Sequence, residues 1–97
     1  MTRVAFLRAA QRDVRRAAKF YAEQSAPLGA EFMAEVDHAS ELLSRYPEAG
    51  APMPRGARKL LLRRFPYIVI YRFEPERVLV LAVGHQRRHP DFWLERA

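Results

Sequence analysis

Two segments near the C-terminal end of the chain carry its most apolar pattern. Residues 67–73 (YIVIYRF) and 78–84 (VLVLAVG) are rich in β-branched and aromatic residues, which is typical of β-strands. Residues 74–77 predict a tight turn between them, because Pro75 presets the backbone at the second turn position. Both strands are apolar on both faces, so the pattern predicts a hairpin in a sheet that is covered on both sides.

Simple alternation assigns the hairpin side chains to two faces. In the first strand, Ile68 and Ile70 fall on the face opposite to Tyr67, Val69, Tyr71 and Phe73. In the second strand, one face is predicted to carry Val78, Val80 and Ala82, and the other face Leu79, Leu81 and Val83.

The first half of the chain has a helical period instead. Residues 8–24 predict an amphipathic helix whose apolar positions, spaced i, i+3, i+4 and i+7, are Val14, Ala17, Ala18 and Tyr21. Pro27 suits the first turn of a second helix, predicted over residues 27–46 and ended by Pro47. Its apolar positions are Phe32, Val36, Ala39, Leu42, Leu43 and Tyr46. The short connection predicts an antiparallel helix hairpin.

The remaining segments complete an α+β fold. Residues 3–7 (RVAFL) predict a short strand, residues 48–56 (EAGAPMPRG) a loop, and residues 58–65 (RKLLLRRF) another strand. The predicted order is β-α-α-β-β-β in a single domain over residues 1–97, with the helix hairpin on one face of a mainly antiparallel sheet. The other face has two candidate covers. Residues 90–96 (PDFWLER) can form a helical turn that folds Phe92 and Trp93 back onto the sheet, or a second polypeptide can lie there.

Charge narrows the class of partner. The chain has a net charge of +6 and a pI of about 10.5, which favours nucleic acid, nucleoprotein or an acidic protein. Four cations lie off the apolar stripe of the first helix: Arg12, Arg15, Arg16 and Lys19. Such a row most often forms the solvent-exposed side of a helix, and a nucleic-acid-binding face is the alternative interpretation. The absence of cysteine excludes disulfides and thiolate sites, and no apolar run is long enough to cross a membrane, so we expect a cytoplasmic protein.

Candidate chemistry is confined to the basic segments. None of the common nucleotide-binding, metalloprotease or hydrolase motifs is present. His85 and His89 are spaced four apart, but Pro90 and the preceding strand argue against a helical metal site, so we predict no metal and no cofactor. If the strand ends converge, a basic cluster forms that suits binding of phosphates or carboxylates, and its members are Arg63, Arg64, His85, Arg87 and Arg88.

The order of these residues resembles a known family. The segments FPYIVIYRF and VLVLAVGHQRRHPDFWLER resemble the ParE branch of the RelE/ParE toxin superfamily, also called the plasmid stabilisation family. The N-terminal part agrees, with Asp13 and residues 20–21 (FY) on the first helix and Phe32 on the second, followed by residues 46–48 (YPE). The resemblance covers almost the whole chain and implies a two-layer fold with the first strand beside the last.

The resemblance also implies a function. ParE-like toxins of type II toxin–antitoxin systems are taken to poison DNA gyrase, and their antitoxins are small DNA-binding proteins whose flexible acidic tails wrap the toxin. RelE-like toxins, the sister branch, cut mRNA on the ribosome with two arginines and a C-terminal tyrosine. Those positions fall on Ile68, Gln86 and Phe92 here, which have neither the charge nor the hydroxyl. Arg64, His85 or Arg87 could take their place after a shift in register.

We therefore expect a toxin that acts by binding, without catalytic residues of its own, in a hetero-oligomer with its antitoxin. The residues expected to contact the target, DNA gyrase, are His85, Arg87, Arg88, Trp93, Arg63 and Arg64. The residues expected to contact the antitoxin are Tyr21, Phe32, Tyr67 and Tyr71. The alternatives are a RelE-like ribosome-dependent endoribonuclease and a non-toxic member that only binds its partner.

Overall fold

The computed structural model describes residues 1–97 and places two helices on one face of a five-stranded mixed sheet. The helices are α1 (Arg8–Gln24) and α2 (Ala26–Arg45). The strands are β1 (Arg3–Phe6), β2 (Ala51–Pro52), β3 (Ala57–Leu61), β4 (Tyr67–Glu74) and β5 (Arg77–His85). This architecture confirms the predicted α+β class. No helix has both the length and the apolar character needed to cross a membrane.

The sheet has the strand order β1-β5-β4-β3-β2. β1 runs parallel to β5, and every other neighbouring pair is antiparallel. The first strand therefore lies beside the last. Two predicted boundaries are wrong. Residues 51–52 of the predicted loop form β2, which pairs with Lys59 and Arg58. β3 ends at Leu61 and not at Phe65, because the chain turns there and the Leu62 N–H donates to the Tyr67 carbonyl at 3.0 Å.

The helix-covered face of the sheet holds the larger core. Ala10, Val14 and Ala17 from α1 are buried there with the α2 side chains Phe32, Val36, Ala39 and Leu43. They pack on the strand side chains Val69, Tyr71, Val78, Val80 and Val83. Gly29 lets the helices approach closely, because a Cβ atom added there would lie 2.7 Å from the Cβ of Ala22.

A β-bulge in β5 corrects the predicted alternation. Ile70 pairs with Ala82 but Tyr71 pairs with Val80, so β5 carries an extra residue at this point. As a result Ala82 lies in the same buried cluster as Leu79 and Leu81, on the face opposite to Val80. Val83 lies on the helix-covered face, opposite to its prediction. The pattern could not reveal the extra residue, because both faces of this strand are apolar.

The C-terminal segment covers the other face, which we call the tail-covered face. Trp93 is 1% exposed and is buried there with Ala57, Ile70, Leu79, Leu81 and Ala82. Its Nε1–H donates to the Pro90 carbonyl at 3.0 Å. The predicted helical turn is a short 3-10 turn over Leu94–Arg96. Of the two candidate covers, the chain thus supplies its own.

Tyr71 fastens the loop after α2 to the sheet. The side chain is fully buried, its hydroxyl donates to the Pro47 carbonyl at 2.7 Å, and it accepts the Gly50 N–H at 2.9 Å. Gly50 has to be glycine here, because an added Cβ would lie 2.8 Å from that hydroxyl. Burial raises the pKa of Tyr71 above its ordinary value. The stability contributed by the neutral phenol is thus complete below the ordinary pKa and is lost as the pH rises through the higher folded-state pKa.

Tyr71→Phe is expected to lower the free energy of unfolding by about 1–3 kcal/mol, because it leaves a buried N–H and a carbonyl without their partner. Urea unfolding at neutral pH measures this loss. Tyr46→Phe is the matched control, because Tyr46 is exposed and its change should lie within about 0.5 kcal/mol. Equal stability of Tyr71→Phe and the parent would mean that the hydroxyl contributes nothing.

Candidate functional site

The end of β5 lies beyond the reach of its parallel neighbour. The last residue pair between β1 and β5 is Phe6 with Val80, followed by one bond from the Leu7 N–H to the Val80 carbonyl. Side chains satisfy the next backbone groups on this edge. The Asp13 carboxylate accepts the Val83 N–H at 3.0 Å, and Arg96 donates to the Leu81 carbonyl at 3.1 Å. These two side chains thereby provide partners for backbone groups of β5 that no neighbouring strand reaches.

The same two side chains form an ion pair. Arg96 Nη1 lies 2.6 Å from Asp13 Oδ2, and Nη2 lies 3.4 Å from Oδ1. Asp13 is only 7% exposed, so the pair is largely shielded from water. A second cation lies nearby, with Arg88 Nη1 at 3.8 Å from Asp13 Oδ1. The pair ties the C-terminal segment to α1.

A cleft of about 290 Å³ opens beside this ion pair, between α1 and the end of β5. We call it the end cleft. Its polar and aromatic lining consists of Asp13, Arg16, Phe20, Tyr67, His85 and Arg88. Because Asp13 already binds Arg96, the free charge in the end cleft is positive. Anions are the ligands that such a cleft favours.

Stacking contacts position the residues that follow β5. The Arg88 guanidinium carbon lies 4.1 Å from the centre of the Phe92 ring, which is close enough for a cation–π contact. Phe92 rests against the backbone of Gly84, where an added Cβ would collide with the ring. His85 Nδ1 accepts the Arg87 N–H at 3.0 Å, and its ring lies 5.4 Å from the ring of Tyr67. The turn over residues 85–88 (HQRR), which we call the basic turn, thus has a defined shape.

Only part of the predicted basic cluster comes together. His85 and Arg88 line the end cleft, and Arg87 is exposed on the same turn. Arg64 lies against α2, where its Nη2 is 3.2 Å from Glu31 Oε1. Arg63 lines a separate groove between α2 and β3. The strands that these residues follow, β3 and β5, are not neighbours, because β4 lies between them. Glu31 of α2 pairs with Arg64 there, away from the end of β5.

Burial decides which of the predicted contact residues a partner can reach. Phe32 and Tyr71 are 0% exposed and Trp93 is 1% exposed, so these three side chains support the fold and offer a partner no surface. Tyr21 and Tyr67 are half-buried at the margin of an aromatic cluster that includes Phe32 and Phe65. Burial raises the pKa of both tyrosines, so their hydroxyls stay protonated at neutral pH.

The positions at which RelE-like ribonucleases carry their catalytic residues are occupied here by Ile68, Gln86 and Phe92, and two of these side chains pack against the protein itself. Ile68 packs against the buried cluster of the tail-covered face. The Gln86 side chain is exposed, and its backbone N–H donates to the Pro66 carbonyl at 2.8 Å. Phe92 lies on Gly84. None of these side chains carries a positive charge or a group that transfers a proton at neutral pH.

The sequence contains a signal for the ion pair that is not part of any motif. Asp13 is the only acidic residue before Glu23, and it lies at the border of the apolar stripe of α1. An isolated acid at the border of a buried face needs a partner, because burial of an unpaired charge is costly. Arg96 is distant along the chain, so only the fold identifies it as that partner.

Comparison with known proteins identifies the family. Residues 4–90 match the model of the ParE toxin of the type II toxin–antitoxin system parDE. The fold is similar to the chromosomal ParDE toxin–antitoxin system of P. aeruginosa, with a TM-score of 0.75, 20% identity and coverage of 88% of this chain and 96% of the other. A chain of the toxin–antitoxin complex RelBE2 from Mycobacterium tuberculosis is 30% identical, with a TM-score of 0.59 and coverage of 87% and 90%. No curated protein sequence gives a significant match. Because the family match spans nearly the whole chain, the protein belongs to the ParE toxin family of type II toxin–antitoxin systems.

Proposed function

We propose that this chain is neutralised by a cognate antitoxin and that, when free, it binds DNA gyrase and stalls the enzyme on cleaved DNA. The observation that carries this proposal is the ParE family match, which extends through β5 and the basic turn to residue 90. Gyrase is the target that the family resemblance implies. The end cleft and the basic turn supply a positively charged surface for a gyrase–DNA complex.

The proposed mechanism is binding without covalent chemistry. His85 and Arg88 project into the end cleft, and Arg87 stands exposed beside it. Guanidinium groups suit phosphates and carboxylates because they donate two parallel hydrogen bonds. The phenylalanine at position 92 lacks the hydroxyl of the ribonuclease branch, so strand cleavage would have to come from the target enzyme itself.

The antitoxin has a suitable surface on the opposite edge of the sheet. β2 pairs only with Arg58 and Lys59, which leaves the outer edge of Leu60 and Leu61 without a neighbouring strand. Leu61 is 55% exposed and borders the groove between α2 and β3. An extended acidic tail could add to this edge by main-chain hydrogen bonds and be attracted by the +6 charge of the chain. Tyr21 and Tyr67 remain proposed antitoxin contacts on the helix side.

The RelE-like ribonuclease is the second candidate function. The similarity to a chain of the RelBE2 complex favours it, because that chain is 30% identical over most of its length and most of this one. The residues at positions 68, 86 and 92 argue against it.

Purified toxin added to gyrase and supercoiled plasmid is expected to produce linear DNA after the protein is digested, because stalled cleavage complexes hold broken strands. An equimolar amount of the cognate antitoxin should abolish the product. The same toxin should leave mRNA intact on translating ribosomes. Ribosome-dependent cleavage without plasmid linearisation would replace the gyrase proposal by the ribonuclease, and silence in both assays would indicate a member that only binds its antitoxin.

Paired substitutions test the proposed contact residues. Arg87→Ala with Arg88→Ala should reduce plasmid linearisation at least tenfold, because each removes a charged hydrogen-bond donor worth about 1.5–3 kcal/mol. The matched control is Arg45→Gln with Arg55→Asn, which removes two exposed charges elsewhere. Asparagine suits position 55 because its φ is +61°. Equal linearisation by both double variants would exclude the basic turn from target binding.

A further inference from the structure

A row of cations runs along the exposed side of α1. Arg8, Arg12, Arg15, Arg16 and Lys19 all lie on this helix and are exposed. At 100° per residue they fall within an arc of about 100°, and they span about 16 Å along the helix axis. We call this row the α1 cationic stripe. Its five members lie on one side of the helix.

The α1 cationic stripe has no internal acidic partners. The six ion pairs of the structure involve Glu31, Glu48, Glu74 and Asp13 with other arginines, and none includes a member of the stripe. Like charges spaced three and four residues apart on a helix repel one another, so the stripe is unfavourable for the isolated helix. A ligand with a row of negative charges would relieve this repulsion.

The α1 cationic stripe continues into the end cleft. Arg16 belongs to both, since it borders the surface formed by Arg12, Arg15 and Lys19 and also lines the end cleft with Arg88. Phe20 stands at this junction and is 53% exposed, with its ring edge-on to Tyr21 at 5.2 Å. A large exposed aromatic ring beside a track of cations is the combination used by proteins that bind single-stranded nucleic acid.

We propose that the α1 cationic stripe and the end cleft bind a single strand of nucleic acid, with phosphates along the stripe and one base stacked on Phe20. The geometry favours a single strand over a duplex, because a paired base cannot present its face to a side chain. A cleft of about 290 Å³ has room for little more than one nucleotide, so the strand passes along the stripe and inserts one base at the junction. The chain would bind the single strand without any other protein, so this proposal does not depend on gyrase being the target.

Fluorescence anisotropy with labelled oligo(dT), oligo(U) and a duplex of the same length tests the proposal. Oligo(dT) or oligo(U) should bind more tightly than the duplex. Five phosphate contacts, one for each member of the stripe, should give a slope of about −3.5 for log K against log salt. Arg12→Gln with Arg15→Gln should reduce the magnitude of this slope by about 1.4. The double variant Arg45→Gln and Arg55→Asn removes the same charge elsewhere and should leave the slope unchanged.

Phe20→Ala separates stacking from charge attraction. It should weaken single-strand binding about fivefold or more and leave duplex binding unchanged, because only an unpaired base can stack. Phe20→Trp should retain the affinity. The proposal is overturned if neither single strand binds, if the duplex binds as tightly as the single strands, or if Phe20→Ala binds as the parent does. The anisotropy assay contains no gyrase. A negative result in it would overturn the single-strand proposal without affecting the gyrase proposal, which the plasmid linearisation assay tests separately.

Discussion

Asp13→Ala is expected to lower the free energy of unfolding by about 3–5 kcal/mol, the usual cost of removing one partner from a buried ion pair. The substitution leaves the Arg96 guanidinium, which is 20% exposed, without its carboxylate partner. It also leaves the Val83 N–H without an acceptor. For a domain of this length the loss corresponds to a fall in Tm of more than about 12 °C.

Thermal and urea unfolding followed by circular dichroism measure the change. The fluorescence of Trp93, the only tryptophan, reports separately on the C-terminal segment. Loss of the ion pair should release this segment before the rest of the fold, so the fluorescence transition should precede the change in circular dichroism. Coincident transitions at the Tm of the parent would contradict the assigned role.

Two further variants separate charge from hydrogen bonding at this position. Asp13→Asn keeps an oxygen acceptor for the Val83 N–H but removes the charge that balances Arg96, so it should be destabilised less than Asp13→Ala. Asp13→Leu combined with Arg96→Met replaces both charges by apolar groups of similar size. That double variant should be more stable than Asp13→Ala, because no uncompensated charge remains buried.

The sequence predicted the parts of this fold that depend on local pattern. Helical periodicity identified both helices within two residues at each end. Each helix has apolar positions on one face and polar positions on the other, and this contrast makes the helical period visible in the sequence. The faces of β4 were also predicted correctly, with Ile70 opposite to Val69 and Tyr71. In these elements the polarity of each side chain matches the face of the helix or strand on which it lies.

The errors arise where distant residues decide the outcome. The bulge in β5 places Ala82 and Val83 on faces opposite to those predicted, and no polar residue in this strand marks the change. Arg64 binds Glu31 of α2 and does not join His85, because β4 separates β3 from β5 in the sheet. The Asp13–Arg96 pair joins residues 83 positions apart. Periodicity contains no information on such contacts.

Trp93→Ala tests whether the chain alone covers the second face of its sheet. Truncating a fully buried tryptophan costs about 3–5 kcal/mol, which is a large part of the total stability of a small domain. The tail-covered face would lose its largest side chain and expose Ile70, Leu79 and Leu81. We therefore expect a fall in Tm comparable with that of Asp13→Ala, together with strong binding of a hydrophobic dye such as ANS at temperatures below the transition.

Trp93→Phe is the matched control, because it keeps an aromatic ring in the cluster and loses only the Nε1–H bond to Pro90 and part of the ring volume. It should bind little dye and lose less stability. Adding the cognate antitoxin to Trp93→Ala then distinguishes two roles for the face. If the antitoxin binds elsewhere, as the exposed edge of Leu61 favours, dye binding should persist in the complex. Suppression of the dye signal by the antitoxin would instead place the partner on the face that the C-terminal segment covers in the isolated chain.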